Sequence, residues 1–403
     1  MQRTVLFLFL MAFHLVVVSA FTPDSIVSGG SESRTIEASA SVFLSPLPKA
    51  VSETSGLIFW RNSLWTHNDS GGTPEIYKID TATGKITQTI FLDGVINFDW
   101  EDIAQDDDFI FVGDFGNNGG DRKNLSIYKI PKALIPLNEK VVRITPSTIG
   151  FSFADQKNFE NNFRKNDFDC EGFLAFGDSL FLFTKNWNDG NSRLYVVPKI
   201  EGDYKVLPRS TFPADGLVTG ADVNPAQNEV ALIGYKDYQP FMWLFWDFKG
   251  SDFFGGKKLR VDFPDLIFVQ TEGIAYLDND KIVYSSENSI AVQGVFSAKS
   301  SELKLKADKP NVADHSSKIK IFPIAETFSE QIVFEIVELP TTYFSVGLID
   351  RKGKKLYSEK FSVENGNLPF AVNIPVEKLK SGIYAIKIRS GGQSLVQKVK
   401  IKN

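Results

Sequence analysis

Ser55-Gly56-Leu57-Ile58, Glu101-Asp102-Ile103-Ala104, Glu171-Gly172-Phe173-Leu174, Thr219-Gly220-Ala221-Asp222 and Glu272-Gly273-Ile274-Ala275 are five variants of one phrase. Each opens a short apolar strand. An acidic or Asn-bearing turn follows, and then a second strand of large apolar residues at 63–67, 109–113, 179–185, 230–235 and 281–286. Third strands at 76–79, 127–130 and 194–197 and a fourth at 87–92 complete the pattern. Repetition of a four-stranded unit at roughly 50 residues is the mark of a β-propeller, because one such sheet cannot bury both faces alone and packs radially against its copies.

The spacing predicts five blades, or six if the longer gap between the second and third phrases hides a degenerate one. That gap holds 155–169, a polar stretch rich in Asn and Phe without alternation, which reads as an exposed loop on a rigid scaffold. After residue 286 one more strand follows and the repeat stops, so the last blade lacks its outer strand. Residues 41–44, ahead of the first phrase, are suited to supply it and close the ring.

The rest of the chain agrees with an all-β reading. It has 403 residues, of which 35 are Phe, and aromatics reach 13%; rings favour pleated, half-buried surfaces. The net charge is -5 and there is no basic block, which disfavours nucleic-acid binding, since neutralising phosphates takes clustered Lys and Arg. Cys170 is the single cysteine, so no intramolecular disulfide forms and the fold rests on its core.

Residues 1–20 read as a signal peptide: Arg3 supplies the charge, 5–18 the apolar run, and Val18-Ser19-Ala20 the small residues before cleavage, giving a mature start at Phe21. No later segment is long and apolar enough to span a membrane as a helix. The propeller is expected over 21–298, a Ser-, Lys- and Asp-rich linker over 299–318, and a second domain over 319–403. There, seven short alternating strands predict an immunoglobulin-like β-sandwich.

That second domain resembles the type A C-terminal sorting domain of the type IX secretion system. The resemblance is carried by Lys320-Ile321-Phe322-Pro323, Leu348-Ile349-Asp350-Arg351-Lys352-Gly353-Lys354, Leu379-Lys380-Ser381-Gly382-Ile383-Tyr384 and Gln397-Lys398-Val399-Lys400-Ile401; Ile324-Ala325-Glu326 departs from the Asn-Pro turn usual after the first Pro. It implies export by a Gram-negative bacterium of the Bacteroidetes group, with the secretion machinery as partner and the cell surface or medium as destination. The repeat phrases, above all Asp99-Trp100-Glu101-Asp102-Ile103-Ala104 and Glu272-Gly273-Ile274-Ala275, are similar to those of secreted propellers of the esterase-like phytase and SdiA-regulated groups.

Two sets of residues are candidates for function. If the repeats superpose, Glu101, Glu171 and Glu272 converge on the central channel, where such carboxylates would repel one another unless a cation or a Lys neutralised them; hard oxygen ligands suit Ca²⁺ or Mg²⁺. The competing reading is that they accept hydrogen bonds from neighbouring blades and lock the ring. The second set follows the second strands and falls around the channel mouth: His67, Asn68, Asp69, Asp114, Asn117, Asn118, Lys185, Lys236 and Glu287, with Asp237 and Asn288 beside them. Such groups could hold a glycan, a phosphorylated compound or a protein ligand. The alternative is an extracellular hydrolase, a phosphoesterase or glycosidase, using the channel carboxylates with or without a divalent cation. No Gly-x-Ser-x-Gly elbow and no His-Glu-x-x-His helix occurs, which disfavours serine-esterase and zincin chemistry.

Overall fold

The computed structural model describes residues 33–236, 239–266, 269–287, 293–308, 319–322, 327–328, 330–351, 353–363, 368–391 and 393–403. The expected signal peptide, Asp237, Asn288 and most of the expected linker lie outside them. The chain is all-β, in several sheets. Thr54–Trp60, Ser63–Asn68, Glu75–Asp80 and Ile86–Leu92 form the first, edged by Val141–Ile144. Trp100–Gln105, Phe109–Asp114, Leu125–Pro131 and Ser147–Phe153 form the second, edged by Gly202–Val206. The third is Cys170–Phe176, Ser179–Thr184, Ser192–Pro198 and Ser210–Phe212. Leu217–Asn224, Glu229–Lys236, Gln239–Trp246 and Lys257–Asp262 make the fourth, edged by Ser33–Glu37. The fifth is Thr271–Tyr276, Lys281–Ser286 and Gly294–Lys299, completed by Ser41–Leu44 from the other end of the chain.

The five first strands touch in order, and the fifth touches the first, so the sheets form a closed ring. The phrase that opens each sheet explains how they approach so closely. A Cβ on Gly56 would lie 2.3 Å from the Ile103 nitrogen, one on Gly220 2.3 Å from the Glu272 carbonyl oxygen, and one on Gly273 2.4 Å from the Ser55 carbonyl oxygen. Only a residue without a side chain leaves room for the next inner strand there. Each opening also carries a β-bulge, with register slipping between Thr54 and Leu57, Trp100 and Asp102, Cys170 and Gly172, Val218 and Gly220, and Thr271 and Ile274. An unpaired residue in a strand changes its twist and re-aims its side chain. The re-aimed residues include Glu101, Glu171, Thr219 and Glu272.

The aromatic excess goes between sheets. Phe111, Phe115, Phe151, Phe153, Phe173 and Tyr195 share one buried cluster joining the second sheet to the third. Phe181, Phe183, Phe212, Trp243, Phe245 and Phe253 share another between the third and fourth. Cys170 is a buried member of the first of these, its thiol pushed well up by burial and so held protonated.

The stretch read as a linker begins with a helix, Ser300–Asp308, against the fourth and fifth sheets. Glu229, 1% exposed, accepts the Ser300 hydroxyl at 2.8 Å and the Tyr276 hydroxyl at 2.7 Å and pairs with Lys304. A segment poor in apolar residues thus folds because a buried carboxylate needs its donors. Beyond it, a three-stranded sheet of Lys320–Phe322, Gln331–Glu338 and Phe370–Pro375 and a five-stranded sheet of Thr327–Phe328, Gln393–Ile401, Gly382–Ser390, Tyr343–Ile349 and Lys355–Ser362 enclose one core that includes Phe334, Val346, Leu348, Ile386 and Val399.

Candidate functional site

At one end of the ring, acidic side chains from three sheets meet. The carboxylate oxygens of Asp69, Asp99 and Glu101 lie within 4.8 Å of one another, and so do those of Glu101, Asp169 and Glu171. Glu101, shared by both groups, is 3% exposed. Asp69 follows the second strand of the first sheet; Asp99 and Asp169 precede the bulges that carry Glu101 and Glu171.

The two groups differ in what answers them. In the second, Asp169 accepts the Asn117 backbone N–H at 2.6 Å and the Trp187 indole N–H at 2.7 Å. Glu171 holds the Lys185 ammonium at 3.0 Å, both side chains being buried. Burial alone would strip Lys185 of its proton, but the charges of Glu171, Tyr235, Glu272 and Asp169 outweigh it and hold the ammonium firmly protonated. In the first group, Asp69 accepts only the Ser70 N–H among the described residues, at 2.5 Å. No donor reaches the Asp99 carboxylate among the described residues, and the Oε1 of Glu101 is buried without a partner.

Leaving such an oxygen unpaired in the interior costs on the order of 1–3 kcal/mol, more when it is charged. Burial raises proton affinity across the cluster, Glu171 included despite Lys185. Burial first, then the charges of Asp69 and Asp169, push Asp99 up to about 7. Burial pushes Asp69 up to about 6; the charges of Glu53 and Asp169 add to it, while the Ser70 N–H and the Lys185 charge oppose it. Glu101 is raised well above the carboxylate range, by burial and then by Glu171, Asp69 and Asp99.

The turn after the second strand of the second sheet packs directly against these oxygens. A Cβ on Gly116 would sit 1.9 Å from Glu101 Oε1 and 2.5 Å from Asp99 Oδ2. The donor set is all carboxylate oxygen, with no sulfur or imidazole. It fits a hard divalent cation, and Ca²⁺ better than Mg²⁺, because Ca²⁺ tolerates irregular oxygen geometry.

The other residues singled out from the sequence divide. His67 is buried with its ring edge-on to Trp100 at 5.5 Å, and desolvation lowers it to about 4, so it is a neutral wall residue. Asn68 ties its turn, accepting from the Glu53 N–H and donating to the Ala50 carbonyl. Asp114 is occupied by Arg122 at 2.8 Å and the Tyr128 hydroxyl at 3.0 Å. Asn117 bridges to the Arg122 N–H and the Phe168 carbonyl.

Asn118 Oδ1, like His67 Nε2, is buried without a partner among the described residues. Lys236 is a half-exposed rim residue paired with Asp215. Glu272 accepts from Gln270 at 2.7 Å and is raised to about 8, by burial despite Lys185. Glu287, half-buried, is raised to about 7 by burial and then by Asp69. Asp99 and Asp169 stand two residues ahead of Glu101 and Glu171 in the sequence. Gly116 is of a type common in any turn, and Arg164 and Trp187 carried no signal in the sequence.

Residues 323–402 match the family described as "Secretion system C-terminal sorting domain". The chain ends in a type IX sorting domain. The sorting domain marks it as cargo of that secretion system, delivered to the outer cell surface or the extracellular space in Bacteroidetes. Among the described residues no helix is long and apolar enough to cross a membrane.

The sorting domain covers only the tail, and no curated protein is significantly similar to the chain in sequence. Among solved structures, a chain of a mitotic checkpoint complex is similar at 13% identity and TM-score 0.29, covering 60% of this chain and 62% of that one, so the match spans under two thirds of its length. Hsv2 from Kluyvelomyces marxianus is similar at 14% identity and TM-score 0.26, over 76% of this chain and 85% of that one. Apo AztD from Citrobacter koseri is similar at 10% identity and TM-score 0.24, over 80% and 75%. All three scores lie below 0.5, so the ring is read from strand pairing rather than from these likenesses.

Proposed function

We propose that the chain is a secreted or cell-surface ligand-binding protein: a signal peptide (1–20), a five-bladed propeller, and an immunoglobulin-like sorting tail from 319. The propeller holds one Ca²⁺ between Asp69, Asp99 and Glu101 and presents it at the channel mouth to an oxygen-bearing ligand. The buried, partnerless Oε1 of Glu101 supports this most directly. It lies in a group of three acids that no basic side chain pairs with among the described residues, beside a second group that Lys185 already serves. A dication would replace the protons these acids otherwise retain.

This moves the cation from the three bulge glutamates, as the sequence suggested, to one of them and two aspartates. Glu171 and Glu272 then serve as counter-charges to Lys185. Binding is favoured over hydrolysis because His67 is walled off, and Lys185 is held as a cation rather than free as a base.

Calorimetry and thermal unfolding of the mature chain with Ca²⁺, Mg²⁺ and EDTA test the reading. Saturation at about 100 times the dissociation constant adds about 2.7 kcal/mol of stability. Unchanged melting with every divalent ion would remove the cation. Turnover of phosphate esters or glycans that disappears in Glu101→Gln would favour the hydrolase instead.

A further inference from the structure

We infer that the ligand met at this mouth carries an oxyanion (a phosphate or sulfate monoester, or a carboxylate) and that Arg164 binds it opposite the cation. The inference rests on the cation reading above.

Arg164 lies on the 155–169 loop, which hydrogen bonds tie to the cradle turn. Its backbone N–H donates to the Asn118 carbonyl at 2.8 Å, and Asn166 Nδ2 donates to the Asn117 and Asn118 carbonyls at 3.3 and 3.0 Å. This is the turn that brings Gly116 against Asp99 and Glu101. Arg164 is held in the left-handed region, φ 55°, which a non-glycine residue enters only when its surroundings hold it there.

Its guanidinium is braced at 4.9 Å over the Trp187 ring and 5.1 Å over Phe163. Trp187 is itself anchored through its indole N–H to Asp169, inside the acid cluster. The charge of Arg164 reaches Glu287, where it lowers the proton affinity. Yet the guanidinium forms no ion pair or hydrogen bond among the described residues. On the same rim Lys123 lies over Phe159 at 4.8 Å, also without an ion pair.

Paired basic groups elsewhere at the mouth, Arg122 on Asp114 and Lys185 on Glu171, show what a guanidinium or ammonium does here when an acid is within reach. Arg164 keeps its planar donor fork free and stacked, the arrangement suited to bidentate recognition of an oxyanion. A bound dication reverses the sign of the field directly above the acids. An oxyanion can then complete the cation's shell with one oxygen and meet Arg164 with others.

The test is calorimetric titration of the Ca²⁺-loaded mature chain with sulfate, with galacturonate and with sub-millimolar inorganic phosphate, in the wild type, Arg164→Ala and Arg164→Lys. At least one anion should bind the loaded wild type, weaken by about tenfold or more in Arg164→Ala, and be only partly rescued by Lys. Ca²⁺ affinity should stay unchanged in both variants. The anion that binds best identifies the source of the oxyanion. If Ca²⁺ binds but Arg164→Ala keeps the anion affinity, or no anion binds, this inference fails and the cation reading stands. If Ca²⁺ itself does not bind, both fall.

Discussion

Glu101 and Asp102 are adjacent, both buried and both acidic, yet one oxygen of Glu101 has no partner while Asp102 is saturated. Asp102 occupies the position that is glycine in the other four phrases, and its carboxylate fills the space at the ring axis. One oxygen accepts the Ile103 N–H at 2.8 Å; the other accepts Phe173 N–H at 3.0 Å and Ala221 N–H at 3.2 Å, joining three sheets. Asp222 does the same on a smaller scale, accepting Val223 and Tyr276 N–H groups at 2.8 Å. Ring locking by acids is therefore real, but Asp102 and Asp222 perform it rather than the bulge glutamates. The bulge glutamates are turned toward the mouth, where backbone donors are few. Burial of a carboxylate stabilises the fold only when donors or cations meet it; otherwise it stores cost that a ligand can relieve.

Removing the cations or donors that acids need should separate the two groups. The largest loss is expected from Lys185→Met, which leaves Glu171 buried and unanswered: about 3–5 kcal/mol, read as a lowered midpoint in chemical denaturation. Asp102→Ala should follow at about 3 kcal/mol, since three buried N–H groups lose their acceptor, and added Ca²⁺ should not compensate fully. If Asp102→Ala instead melted like wild type, the axis would not depend on that side chain.

Gly116→Ala should cost less stability while abolishing Ca²⁺ binding in calorimetry, because its Cβ enters the cradle. Asp99→Asn should make the cation-free protein slightly more stable at pH 8, by relieving repulsion, and remove the gain that Ca²⁺ provides.

The remaining expectation is a pH slope, which no substitution is needed to read. Asp69, Asp99, Glu287 and Glu272 have folded-state proton affinities raised to about 6, 7, 7 and 8. Between their ordinary values near 4 and these, the folded state binds more protons than the unfolded one. Without a cation, stability should therefore fall as pH rises from about 4 to about 8. Ca²⁺ should flatten that slope and bind more tightly with rising pH, releasing protons. A cation-free stability that rises across this range would contradict the proton affinities.

Much of this was legible in the chain. Strands and their order follow from apolar alternation, and Ser41–Leu44 was recognisable as the missing strand because the fifth repeat stops short. The helix Ser300–Asp308 was not, since its stability comes from Glu229 on another sheet. In the candidate site, equivalent repeat positions pointed to Glu101, Glu171 and Glu272 as a shared polar centre. Their division into a Lys-served group and an unserved one was hidden, because it depends on where Lys185 lands.

From residues alone came the repeat, the closing strand, the sorting tail and the surplus of acids, since each is a matter of local pattern or motif. Only the folded ring decided which acids are answered. Partner distances of a few ångströms across sheets, set by bulges and by glycines too small to keep strands apart, determine whether a buried carboxylate becomes a rivet or a waiting ligand.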